Sequence, residues 1–143
     1  MSRTRWQRKA PDFYWNKEHL AWVAGLIEGE GTIRTHKTRP SQAKPGVSYS
    51  YPMVAVDMTD PDVIVKACEW SGLGHCSGPW YYGTRPQNKP AYRWVVQRKD
   101  EAITLIAAIW PYLGERRRGQ AKAVLRAFKE ASRVENKVAT ESA

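Results

Sequence analysis

Glu28 and Glu30 close the segment Val23-Ala24-Gly25-Leu26-Ile27-Glu28-Gly29-Glu30-Gly31, and they stand where local physics disfavours acid. The apolar spacing ahead of them predicts a helix. A helix C-terminus carries roughly half a negative charge, which favours Lys or Arg. Here no base follows until Arg34. Sequences tend to break local rules where function requires it. Carboxylate oxygens are the ligands that hard divalent cations take, Mg²⁺ above all. The glycines add a second signal. Gly25 and Gly29 are four apart, with Ala21 one turn earlier, and make a helix face that another helix can approach closely. Gly31 is placed to be the left-handed residue that ends the helix. The competing reading is an ordinary buried helix with an acidic end.

These residues need a helix to carry them and further elements to hold it. Asn16 is a suitable N-cap for a first helix to about Glu30, in which Leu20, Val23, Leu26 and Ile27 recur at helical spacing. Gly31 to Arg39 alternates as a strand, with Ile33 on one side and Thr32, Arg34, His36 and Thr38 on the other. Residues 40–48 read as a loop. In Tyr49–Met58, Val54, Val56 and Met58 oppose Tyr51, Met53, Ala55 and Asp57. Asp60 and Pro61 open a second helix that ends at Gly72 and Gly74. Strands follow at about His75–Tyr82 and Tyr92–Gln97, the latter with Tyr92, Trp94 and Val96 opposing Arg93 and Val95. A helix from Asp100 stops at Pro111, and a last helix begins after Gly119. The chain divides into a basic arm (1–15), one domain (16–132) and a polar, flexible tail (133–143). The class is α+β, with antiparallel hairpins and helices on one face.

Composition narrows the partners. The 143 residues suffice for one core, and 42% are hydrophobic. A net charge of +9 suits an anionic partner, nucleic acid before a membrane surface. No apolar run is long enough to span a bilayer, and the basic N-terminus lacks a signal peptide's apolar stretch, so an intracellular protein is expected. Cys68 and Cys76 read as small buried hydrophobes rather than a disulfide scaffold. His19, His36 and His75 lack zinc-site spacing.

The segment Val23–Gly31 resembles the motif of the LAGLIDADG homing endonucleases, with Val for the first Leu, Gly for the second Ala and Glu for both Asp. The resemblance extends over residues 16–130, whose element order is that of one αββαββαα unit. It implies an antiparallel saddle with helices on one face. A single motif implies a homodimer joined through Ala21, Gly25, Glu28 and Gly29. It implies that Glu30, with Gly29, holds Mg²⁺ against DNA, with Mn²⁺ able to substitute and Ca²⁺ supporting binding without cleavage. Glu28 has a helix-end contact or salt bridge as an equal alternative. A basic residue after the Pro111-Tyr112-Leu113 turn is expected near the active-site water. Alignment from Pro111 selects Arg116, and alignment back from Gln120-Ala121 selects Arg117. Arginine stays protonated, so the role would be charge stabilisation or water ordering; a solvated charge run is the alternative. Asp60 falls where a polar residue touches metal-bound water, or it simply caps its helix.

By the same resemblance the saddle reads DNA through Arg34, His36, Thr38, Tyr51, Asp57, Ser77 and Arg93, with Arg34 and Arg93 suited to guanine. Lys37, Arg39, Lys44, Arg85 and Lys89 suit phosphates. The implied function is a site-specific, metal-dependent double-strand DNA endonuclease acting as a homodimer on a long, partly symmetric site. The alternatives are an intron-RNA-binding maturase and a cleavage-inactive DNA-binding protein on the same fold. No intein splicing sequence surrounds the unit, which leaves an intron-encoded or free-standing gene.

Overall fold

The computed structural model describes residues 4–7, 15–81, 83 and 89–141. The elements are β1 (Thr4–Gln7), α1 (Lys17–Glu30), β2 (Gly31–Lys37), β3 (Ser50–Met58), α2 (Pro61–Ser71), β4 (His75–Trp80), β5 (Ala91–Val96), α3 (Lys99–Ile109), a 3-10 turn (Trp110–Tyr112) and α4 (Glu115–Glu141). The five strands form one antiparallel sheet in the order β1-β4-β5-β3-β2. The class is α+β, as the alternation of periods predicts.

One face of the sheet carries the core. Ile33, Val54, Val56, Cys76, Trp94 and Val96 pack there against Val23, Ala24 and Ile27 of α1, Ile64 of α2, Leu105 and Ile109 of α3, and Ala121 and Val124 of α4. Burying a side chain such as Ile27 contributes roughly 1.5–3 kcal/mol. All four helices therefore cover the same face and leave the other open. On that open face Met53, Ala55 and Val95 form a small buried floor. The inward and outward residues of β3 and β5 are those the alternation predicts. Cys68 and Cys76 are buried, as small hydrophobes are. Cys68 lowers the Cys76 thiol below its ordinary pKa by hydrogen bonding.

Several boundaries differ from the sequence reading. Thr4–Gln7, read as part of a basic arm, pairs with β4 and adds a fifth strand at the sheet edge. Helix α4 begins at Glu115, not after Gly119, and runs to Glu141, through the stretch from 133 read as a tail. Gly119 sits inside it, where a glycine costs about 1 kcal/mol relative to Ala, a penalty outweighed by the burial of Leu113, Ala121 and Val124 on either side. Helix α3 starts at Lys99, one residue early, with Arg98 in the capping position.

Candidate functional site

Helix α1 is set by its two ends. At the first, Asn16 Oδ1 accepts hydrogen bonds from the amides of Glu18 (2.8 Å) and His19 (3.2 Å). At the second, the helix passes into β2 with no linker. Gly31 is not left-handed: its φ of −82° and ψ of 168° are extended. It must be glycine for another reason. A Cβ there would lie 2.6 Å from the Ile27 carbonyl oxygen and 2.8 Å from its Cα. Close approach, rather than handedness, fixes the residue.

The two sides of α1 contrast sharply. Leu20, Val23, Ala24 and Ile27 are buried in the core. Gly25 and Gly29 are exposed, and a Cβ on either would meet nothing within 4 Å. Ala21 and Glu28 are half-buried at the margin of that glycine face.

The two carboxylates also part company. Glu28 Oε2 accepts the Gly114 amide at 3.1 Å. The approach is so close that a Cβ on Gly114 would fall 2.6 Å from Glu28 Oε1. The Glu28 carbonyl oxygen accepts Arg117 Nε at 3.2 Å. Arg117 is 6% exposed, and its Nη1 donates to Gln120 Oε1 at 3.0 Å. It thus supplies the cation that the last turn of α1 lacks in its own sequence. Arg116 is exposed. Arg118 turns back instead, its Nε donating to the Trp110 carbonyl oxygen at 3.2 Å and its guanidinium lying over the Trp110 ring. Of the two candidate arginines, Arg117 is the one brought to the base of α1. Glu30 is exposed, and no described residue hydrogen-bonds or pairs with its carboxylate.

Asp60 occupies the N-cap position of α2 but makes no side-chain capping bond. The register Gly31↔Val56 puts the end of β3, and Asp60 beyond it, at the same end of the sheet as Glu30. Among the described residues no three His, Cys, Asp or Glu side chains gather as a metal cage. One chain offers Glu30 as a single open carboxylate.

The open face of the sheet carries the remaining candidates. Arg34 Nη2 donates to His36 Nδ1 at 3.3 Å, and the His36 ring lies 5.0 Å from that of Tyr51, its partner in register. Arg93 and Asp57, also partners, form a two-bond ion pair, Nε to Oδ1 at 2.6 Å and Nη2 to Oδ2 at 3.0 Å. Arg93 is therefore already engaged by a carboxylate, a pairing the sequence reading did not foresee. Opposite charges at outward positions of neighbouring strands were the available signal; the register that joins them was not. Ser77 is opposite Arg93 on β4. Thr38 Oγ1 accepts the Tyr49 amide at 2.8 Å and closes the hairpin, which is a structural use of a residue read as DNA-facing. Lys37, Arg39, Lys44 and Lys89 are exposed. Arg85 lies outside the described residues. Arg5 of β1 takes the register position opposite Ser77, in line with the Asp57–Arg93–Ser77 row.

A chain with a glycine-faced helix ending in an open carboxylate, set over a sheet with one polar face, has close structural counterparts. The homing endonuclease I-CvuI, solved with its DNA target in 2 mM Ca, superposes with a TM-score of 0.62 at 19% identity over 84% of this chain and 73% of that one. I-CvuI on the I-CreI target in 2 mM Mg, with the DNA not cleaved, gives 0.61 at 21% identity over 79% and 67%. The LAGLIDADG meganuclease I-AabMI, bound to uncleaved DNA, gives 0.57 at 18% identity over 81% of this chain and 38% of that one. The chain has the LAGLIDADG homing endonuclease fold. No family model and no curated protein matches the sequence, so the likeness lies in three dimensions. In the terms of that fold, α1 is the motif helix, and β2 to β5 form the four-stranded saddle. Strand β1 is an addition at the saddle's edge. Among the described residues no helix is long and apolar enough to cross a membrane.

Proposed function

We propose that the chain is one subunit of a homodimeric, divalent-metal-dependent endonuclease that cuts both strands of a long, partly symmetric DNA site. The observation that carries this reading is the division of labour at the end of α1. Glu28 is spent on holding the Leu113-Gly114 turn, whereas Glu30 is exposed and adjoins the exposed face of Gly25 and Gly29. A second copy packed through Gly25 and Gly29 brings a second Glu30 to the same place.

The residues fit a hard cation. A carboxylate oxygen is the right donor, and Mg²⁺ characteristically takes one or two protein carboxylates together with waters and phosphate oxygens rather than a full cage. When bound, the cation balances charge on the phosphate and acidifies water. Glu30 would hold it, with Gly29 adjoining. Arg117 fixes the end of the motif helix, and hence the aim of Glu30, through the Glu28 carbonyl. It remains protonated and acts as no base. Arg116 and Asp60, both exposed, are the side chains available to order water or steady charge. Hydrolysis adds water across one P–O bond in each strand. The open face, with Arg34, His36, Tyr51, Arg93 and Ser77, would lie on the DNA, and Lys37, Arg39 and Lys44 would reach phosphates.

The test begins with selection of a target from a randomised duplex pool, then cleavage of that target in Mg²⁺ by wild type and Glu30→Gln. Glu30→Gln keeps shape and removes charge. It is expected to bind the target in Ca²⁺ as well as wild type and to cut at least about 10²-fold more slowly, the scale of losing one charge-stabilising group. Equal cutting by the two proteins would defeat the reading. Salt-sensitive binding to structured RNA without duplex cleavage would favour a maturase instead.

A further inference from the structure

An acid on the open face opposes everything else there. The chain carries a net charge of +9, and a carboxylate aimed at DNA repels phosphate. Asp57 is nevertheless exposed, at the next-to-last position of β3, beside buried Val56 and directly across from Arg93. The pair is 36% and 45% exposed for Arg93 and Asp57 respectively, so it adds little to folding stability. Its geometry is specific all the same. The carboxylate meets the Nε and Nη2 side of the guanidinium with two short charge-assisted bonds. Both Cα atoms are held by immobile neighbours, since Val56 and Trp94 are 1% and 0% exposed.

Such an arrangement sets the plane of a flexible side chain before any ligand arrives, and so reduces the ordering cost of binding. With the carboxylate along the Nε/Nη2 side, the Nη1/Nη2 edge is the one that Arg93 would turn to a base on a bound duplex. Two parallel donors there match guanine O6 and N7. An unbraced arginine would swing as readily to a phosphate, where it would position without specifying.

We propose that Asp57 is a positioning residue for Arg93, and that the braced pair reads one guanine in each half of the DNA target. This rests on the duplex-binding reading above. The experiment is base-preference profiling in Ca²⁺ with a randomised duplex pool, on wild type, Asp57→Asn, Arg93→Ala and the double variant. Arg93→Ala should lose guanine preference at one position per half-site, by a factor on the order of 5 to 150, the discrimination of one bidentate contact. Asp57→Asn should weaken the same preference at the same position and leave the unfolding midpoint unchanged. The double variant should match Arg93→Ala, because Asp57 acts only through Arg93. The proposal is overturned if Asp57→Asn leaves all base preferences intact, or if its effect falls at a position that Arg93→Ala does not touch, or if the two effects add. Wild type that binds duplex DNA with no base preference would overturn the proposal alone, whereas wild type that does not bind duplex DNA would overturn the duplex-binding reading with it.

Discussion

The end of α1 and the open face of the sheet would carry the two halves of the proposed activity, and they are held in place by different means. At the end of α1 each constraint has a backbone group on at least one side. Gly31 lies against the Ile27 carbonyl, Gly114 against the Glu28 carboxylate, and buried Arg117 on the Glu28 carbonyl. On the open face the backbone is set by the core beneath, and the outward side chains touch mainly one another, as in Arg34–His36 and Asp57–Arg93. The first region has no room for a side chain at Gly31, and little at Gly114. The second can exchange its side chains without disturbing the fold. A protein built this way would keep the backbone of its proposed reactive group in place while its proposed base contacts vary.

The comparison breaks most visibly at the glycine face. Gly25→Leu or Gly29→Leu should leave the single chain folded and even favour its helix, because neither Cβ meets anything and Gly costs about 1 kcal/mol relative to Ala in a helix interior. Self-association should weaken by at least about 10-fold, the lower range of overpacking costs. Sedimentation of both variants against wild type decides it. Undiminished dimers of Gly25→Leu would remove the motif helix from the interface, and a monomeric wild type on target DNA would remove the dimer.

A smaller effect is expected one turn on. Gly31→Ala puts a methyl group into the Ile27 backbone, which cannot yield as a flexible side chain could. Destabilisation of about 1–3 kcal/mol should follow, read as a lower urea midpoint at unchanged slope. An unchanged midpoint would show that the turn from α1 into β2 is looser than its geometry.

The open face should respond more gently. Lys37→Ala removes one exposed cation at the end of β2. It should weaken binding evenly across sequences and reduce the slope of log affinity against log salt by about 0.9. A loss confined to one target sequence would mean that Lys37 reads a base. No change in slope would place it off the DNA.

The same division explains what was legible in the sequence. The motif, the αββαββαα order and the inward and outward residues of β3 and β5 depend on local periodicity, and periodicity is written along the chain. Partners distant in sequence are not. Arg117 and Glu28 are 89 residues apart, and nothing near Glu28 announces the base that meets its carbonyl. Asp57 and Arg93 were each read as facing outward, but their pairing needs the β3–β5 register. Strand β1 escaped because Thr4–Gln7 lacks alternating apolar residues; its hydrogen bonds to β4 come from the backbone. Gly119 and Gly31 misled for one reason. A glycine was taken for a terminator or a left-handed turn, whereas one rides inside a helix held by its apolar flank and the other makes room for a carbonyl.

The mildest change is the sharpest test of the contrast between neighbours. Glu28 and Glu30 differ by two positions, and a sequence motif treats them alike. In the structure Glu28 Oε2 only receives the Gly114 amide, at an exposed turn. Glu28→Gln keeps an oxygen that can accept that hydrogen bond and gives up its charge assistance, a difference of about 1 kcal/mol. The backbone carbonyl that Arg117 engages is untouched. Cleavage of the selected target by Glu28→Gln should therefore stay within a few-fold of wild type, with the loss appearing as slightly lower stability rather than a slower chemical step. The result is informative only beside Glu30→Gln in the same assay. If Glu28→Gln is dead and Glu30→Gln cuts normally, the roles of the two acids are reversed, and the contact with Gly114 must open before the enzyme acts. If both variants cut at the wild-type rate, the metal is held elsewhere, and the open carboxylate at the end of α1 is not the reactive centre.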